Sequence, residues 1–266
     1  MRKNFANSLL KLVLLLAMVA SCSPSVTGSL DRIKERGTLL VGSTGDYRPL
    51  SFLEPETGLY WGFDVELAEI IGNDLGVKVS YVPTSWPTLT EDMLNEDLFD
   101  LAICGITITD ARRKIMLMSE GYLRNGKTIL CRRDDAYRFL TIDDINQPEV
   151  TVMVNPGGQN EAFAREHLTR ACIIVHQRNE EIPALIAEGG ADIMITEIVE
   201  APYYVQNDSR LAAPLLDKPF TDSKIGVLMR KGDEELLEKV NSILDKCRED
   251  GTLERLCKQY GFNHNL

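Results

Sequence analysis

The chain has 266 residues, 44% of them hydrophobic, and a formal net charge of −11. This composition is neither low-complexity nor disordered, and it can bury the core of one large or two modest domains. So acidic a surface excludes nucleic acid and anionic membranes as partners, but a local cluster of donors can still hold a small anion.

The first segment, MRKNFANSLLKLVLLLAMVASC, has a basic start at Arg2, Lys3 and Lys11, an apolar run over residues 12–20, then small residues. It reads as a signal peptide over residues 1–21, too short and too lopsided for a spanning helix. Its end, Val19-Ala20-Ser21-Cys22, resembles the bacterial lipoprotein cleavage motif, so Cys22 is the expected lipidation site of an exported, periplasmic and membrane-tethered protein. Ordinary cleavage nearby is the plainer alternative. Losing the three cations takes the net charge from −11 to about −14. Residues 22–29 then form a tether.

SLDRIKERG predicts a short helix with Ser29 as its cap and Gly37 as its stop, and TLLVGST a buried strand. TGDYRPLSF reads as a loop. WGFDVELAEIIGNDLG has the spacing of an amphipathic helix, KVSYVP of a strand, WPTLTEDMLNED of a helix and FDLAICG of a buried strand. The alternation then repeats. KTILCRR, VTVMV, CIIVHQ and ADIMIT are strands, and QNEAFAREHL, NEEIPALIAEGG and EIVEAPYYVQ are helices or begin them. KIGVLMRKG reads as a strand returning to the first unit, and two C-terminal helices follow. Such alternation predicts mostly parallel sheets covered by helices. The expected architecture is α/β with two lobes, the second inserted into the first. Residues 30–128 and 220–266 make lobe 1 and residues 129–219 lobe 2, with a hinge at the crossings near 127–130 and 219–224.

Ligands of parallel α/β sheets sit at the C-terminal strand ends. Tyr47, Trp86, Thr107, Arg112, the run from Asn155 to Asn160, Glu197 and Glu200 all follow predicted strands, so one cleft between the lobes should collect them. Arg112 offers a planar fork for a carboxylate. Gly157 and Gly158 form a Gly-rich turn before a helix, where free N–H groups attract anions, and Gln159 and Asn160 continue it. Lys127 is a cation beside the hinge, and Trp86 a candidate cover for an apolar ring. Each of these also has an ordinary structural reading as surface charge, turn or core. Five cysteines remain besides Cys22. Cys247 and Cys257 flank a break at Asp250-Gly251, which leaves a bridge between them open, while buried thiols are expected for most. No zinc cluster, dinucleotide fingerprint, Ser-His-Asp or Cys-His arrangement is visible.

DRIKERGTLLVGSTGDYRPLSF, GFDVELA, CGITITDARR and ADIMIT together resemble the periplasmic amino-acid solute-binding proteins, family 3, of bacterial ABC importers, over nearly the whole chain after the leader. The resemblance implies a two-lobed type II binding-protein fold. It puts Arg112 on the carboxylate-clamping arginine, Thr107 on the family threonine and Glu197 on the position that takes a ligand ammonium. VPTSWPTL, YLRNGKT, INQPEVTVMVNPGGQNEAFA and the TEIVEA frame resemble one branch more closely, the cyclohexadienyl dehydratases, which convert prephenate to phenylpyruvate or arogenate to phenylalanine. On that resemblance Glu200 is the general acid. Arg112, Thr107, Lys127, Asn155, Gly157, Gly158, Gln159 and Asn160 would hold the substrate, and Tyr47 and Trp86 would shape its ring pocket.

The chemistry is simple. Loss of carbon dioxide and water makes an aromatic ring, so one acid that protonates the leaving hydroxyl nearly suffices and no cofactor is needed. Glu200 must then keep its proton near neutral pH, which a dry cleft and the neighbouring Glu197 would favour. Two positions depart from the branch pattern: Glu197 replaces an aspartate and Gln159 a threonine. The rival reading is an amino-acid-binding protein that feeds an ABC permease, since one fold serves both.

Overall fold

The computed structural model describes residues 28–95 and 97–262. The leader, Cys22 and most of the tether lie outside the described residues. Helix α1 (Ser29–Arg36) leads into β1 (Thr38–Ser43). Gly28 occupies the cap position and Ser29 is the first helical residue, one step from expectation, while Gly37 ends the helix in the left-handed region at φ 68°. Where a loop was expected, a small antiparallel sheet forms from β2 (Asp46–Tyr47), β3 (Ser51–Leu53) and β4 (Tyr60–Trp61). Its strands are two or three residues long, too short to show a period in sequence. There follow α2 (Phe63–Leu75), β5 (Lys78–Pro83), α3 (Leu89–Leu94), β6 (Leu101–Ala102), α4 (Asp110–Ile115), β7 (Leu117–Met118) and β8 (Leu123–Asn125).

The second unit contains β9 (Lys127–Arg132), α5 (Ile142–Ile145), β10 (Thr151–Val154), α6 (Gln159–His167), β11 (Cys172–Val175), α7 (Ile182–Ala187), β12 (Ile193–Glu197), α8 (Ala201–Asn207) and β13 (Leu211–Ala212). The chain then returns through β14 (Ser223–Ile225) and β15 (Leu228–Met229) to α9 (Glu234–Glu249) and α10 (Thr252–Tyr260). In α9, Leu236, Val240, Ile243, Leu244 and Cys247 recur at helical spacing and are all buried, with acids in the first turn and bases in the last.

Two five-stranded sheets result, ordered β5-β1-β6-β15-β7 and β11-β10-β12-β9-β13. They are mixed. β15 pairs antiparallel with both β6 and β7, and β9 antiparallel with both β12 and β13, so one strand in each sheet runs against the other four. Those two strands carry the chain into a sheet from the other unit. Arriving at the cleft edge, where the parallel strands end, they must run the opposite way. β14 pairs with β8 as a separate two-stranded ladder beside this crossing.

Both faces of each sheet are covered. Ile33, Leu39, Leu67, Ile71 and Leu256 pack on one side of the first, and Met93, Phe99, Ile106 and Met116 on the other. Phe139, Val152 and Ile195 pack on one side of the second, and Ile182, Ile186 and Met194 on the other. Cys247 and Cys257 are not bridged. Both are free thiols buried in the helical core, as are Cys104 and Cys131 in theirs, and Cys172 is free and exposed.

Candidate active site

The strand-end rule brings the predicted residues together. A cavity between the two units is lined by Tyr47, Trp86, Thr107 and Arg112 from one side and by Lys127, Asn155, Gly158, Gln159, Asn160 and Glu197 from the other. Its volume is about 20 Å³, room for one water-sized group. A larger open groove of about 930 Å³ runs along Tyr122, Arg124, Lys224 and Arg248. There Arg124 pairs with Asp222 and Arg248 with Asp245 at the surface. The small cavity, where charged groups converge in a dry setting, is the candidate site.

Glu197 is its centre. It ends β12, and in the antiparallel register with β9 it stands directly opposite Lys127. Lys127 Nζ lies 2.6 Å from Glu197 Oε1 and donates equally closely to Asn160 Oδ1. The Thr107 hydroxyl donates to Glu197 Oε1 at 3.0 Å, and the Tyr47 hydroxyl donates to Oε2. Burial alone would raise the Glu197 pKa, but the Lys127 ammonium and the hydrogen bonds from Lys127 and Tyr47 hold it below the usual carboxylate range. Tyr47 and Thr107 thus tie the first unit to the second through one carboxylate. Asn160 Nδ2 also reaches Asn155 Oδ1 at 3.3 Å. Arg112 lies in α4, whose cap Thr109 accepts from its backbone N–H, and its guanidinium donates to Thr107 O at 2.7 Å. Burial pulls the Arg112 pKa down, although arginine stays charged.

Glu200 is completely buried and does not line the cavity. It caps the start of α8, just past β12. Thr196 Oγ1 donates to its Oε2 at 2.5 Å and Asn179 Nδ2 to its Oε1 at 3.0 Å. Burial first, and then the charge of Glu197, push its pKa up to about 8 against those two hydrogen bonds. Asn179 separates Glu200 from the cavity and lines it, and its amide also donates to Asp46 O at 3.1 Å across the units. Asn179 and Gly105 were missed in the sequence. Both follow the C-terminal ends of strands, β11 and β6, so the rule that found the others would have found them.

Trp86 donates to Asp46 Oδ1 at 3.1 Å and meets Tyr47 edge-on, ring centres 6.0 Å apart, as a wall of the cavity. The Gly-rich turn departs from expectation. The Gly157 N–H is taken by Glu161 Oε2 at 2.7 Å, so it is no free anion donor, and Gly157 does not line the cavity. Gly157 sits at φ 73°, where a Cβ would come within 2.8 Å of Pro87. Its role in this structure is the close approach of one unit to the other.

Two nested sheets, a cleft between them and an anchored arginine define a binding-protein architecture, and the chain belongs to the bacterial extracellular solute-binding proteins, family 3, whose model matches residues 39–264. It is 40% identical over 256 residues to the cyclohexadienyl dehydratase of Pseudomonas aeruginosa, covering 96% of this chain and 94% of that one. It resembles the crystal structure of AncCDT-1, an ancestral amino acid-binding protein described as a precursor of cyclohexadienyl dehydratase. The TM-score is 0.81 at 37% identity, over 88% of this chain and 99% of that one. It is 51% identical to a single-substitution variant of the ancestral cyclohexadienyl dehydratase AncCDT-3, over 87% of this chain and 95% of that one, with a TM-score of 0.54.

Proposed function

We propose that this protein is a cyclohexadienyl dehydratase that acts on prephenate, arogenate or both, with Glu200 as general acid. The observation that carries the reading is a fully buried carboxyl held near pKa 8 directly behind a closed, cationic cleft. Plain ligand binding gives no reason to bury a protonated acid there, whereas departure of a hydroxyl needs one. The kinship to a dehydratase at 40% identity along almost the whole chain supports it.

In the proposed step Glu200 gives its proton to the ring hydroxyl. The carbon–oxygen bond breaks, and the electrons of the bond to the ring carboxylate complete the aromatic ring. Water and carbon dioxide leave, and solvent returns a proton to Glu200. Arg112 and Lys127 supply the positive charge that holds carboxylates, and Trp86 and Tyr47 flank the ring. The cavity is far too small for a six-membered ring with its substituents, so the two lobes move apart to admit it, with Lys127 and Thr128 staying with the second sheet through their pairing with β12. Opening also draws Asn179 off Asp46, which frees its side chain to turn away from Glu200.

Export is part of this reading, and the extracellular solute-binding family to which the chain belongs supports it. Lipidation at Cys22 is part of this reading, checked by palmitate labelling of the protein and of Cys22→Ser. No helix among the described residues is long and apolar enough to cross a membrane. The second reading, an amino-acid-binding protein serving an ABC permease, draws on the likeness to AncCDT-1.

The deciding experiment is product formation from prephenate, and in parallel from arogenate, by the purified protein and by Glu200→Gln. Turnover by the wild type with a loss of about 10²-fold or more in the variant, binding retained, is expected. Turnover that survives the substitution sinks the role of Glu200. No turnover of either compound, with tight binding of an amino acid, establishes the transport reading.

A further inference from the structure

We infer that Lys127 acts as a built-in ammonium: it occupies the partner that a ligand's amino group would need, so the cleft selects 2-oxo acids over the matching 2-amino acids. An α-ammonium entering this cavity has to find a negative charge. Among the described residues that line it, the charged side chains are Arg112, Lys127 and Glu197. Glu197 is therefore the one anionic partner on offer. It already accepts from Lys127 at 2.6 Å, from Thr107 at 3.0 Å and from Tyr47. A carboxylate has about four lone-pair sites, so in the closed cleft three donors leave it little to give, and the Lys127 cation, paired with it across β9 and β12 of one sheet, stays when the lobes part and Thr107 and Tyr47 draw off.

The pair is held by the fold. Lys127 and Glu197 face each other in the β9–β12 register, at the crossing between lobes, and both are more than nine-tenths buried. Asn160 Oδ1 takes a second proton of the ammonium at 2.6 Å and fixes its direction. Breaking a buried pair by inserting a competing cation leaves one charge uncompensated, which is costly. The remaining charge points the same way. Two cations against one anion leave the lining at net +1, and Glu200 keeps its proton near neutral pH and adds none. Such a cavity favours a 2-oxo dicarboxylate over the same skeleton carrying an extra positive charge. Resting on the dehydratase reading, this selectivity would appear as a higher kcat/KM for prephenate than for arogenate.

The test is calorimetric titration of the full-length mature protein with phenylpyruvate and with L-phenylalanine, which differ only at the 2-position. In the wild type the oxo acid is expected to bind at least tenfold more tightly. In Lys127→Met, which frees Glu197, that ratio is expected to fall at least tenfold, with L-phenylalanine gaining and phenylpyruvate losing. A wild-type ratio of one or less overturns the inference, as does an unchanged ratio in a variant whose thermal melt shows it folded. Should Lys127→Met not fold, Glu197→Gln decides: it leaves Lys127 uncompensated and removes the anion, so the preference for the oxo acid should rise, and a ratio that stays or falls overturns the inference. These titrations involve no turnover. A wild type that converts neither prephenate nor arogenate sinks the dehydratase reading and leaves this test intact. Conversion together with a ratio of one or less sinks the inference alone.

Discussion

At the scale of single residues, Glu200 is distinguished by how completely it is dried. A general acid works only while protonated, so with its pKa pushed up to about 8 the proposed activity should hold on the acid side and fall as pH rises through about 8. A rate–pH profile for prephenate checks this, and a profile flat from pH 6 to 9 would remove Glu200 from the chemistry. Asp64 is a second buried acid. It accepts from the Gly105 N–H at 2.5 Å and from the Tyr122 hydroxyl at 2.8 Å, and burial pushes it up to about 7. Both acids bind protons more tightly in the folded chain than in the unfolded one. Their contribution is therefore fully present below the unfolded pKa, near 4, and is lost as pH rises through the folded values near 7 and 8. For each the change is on the order of 4–5 kcal/mol at most. Urea unfolding at a series of pH values should show stability declining from pH 4 to 8. In Asp64→Asn the decline should be shallower, from a lower start, because an amide cannot accept both hydrogen bonds. The motif TEIVEA made the two glutamates legible, since both follow a strand. A protonated Glu200 was expected from the resemblance, but the pairing of Glu197 with Lys127, seventy positions away, was not legible.

Secondary-structure elements explain how the site is assembled. Parallel strands deliver Thr107, Asn155 and Glu197 at their C-terminal ends, and the reversed β9 delivers Lys127 at its start. That reversal was not legible, because strand direction follows from which side the chain enters a sheet, and no local pattern records it. The turn before α6 shows a related limit. Its glycines were readable as a turn, but whether their N–H groups were free depended on Glu161 folding back. Gly157→Ala should therefore weaken ligand binding roughly tenfold or more, because its Cβ would meet Pro87 on the opposing lobe at 2.8 Å and oppose closure. Calorimetry with phenylpyruvate would show it. Affinity equal to wild type would mean that the lobes need not approach so closely.

For the whole molecule the issue is opening and closing. The structure is closed, latched by Tyr47 and Thr107 on Glu197 and by Asn179 on Asp46 O. Small-angle scattering should find the ligand-free protein more expanded than this closed form, with the radius of gyration shrinking on addition of phenylpyruvate. A ligand-free radius already equal to that of the closed form, and unmoved by ligand, would refute a hinge at the two crossings.

The sequence by itself determined the order of strands and helices, the division into two alternating units and the set of strand ends from which a site is built. Those properties rest on short-range periodicity and on a rule about chain direction that needs no contacts. Only the tertiary structure decided that Lys127 neutralises Glu197, that Asn179 stands between Glu200 and the cavity, that Gly157 is a point of lobe contact and that Cys247 and Cys257 stay apart. Each of these is a matter of proximity or burial between distant segments. Desolvation, which sets the protonation of Glu200, is a property of everything packed around a group, and no single stretch of chain carries it.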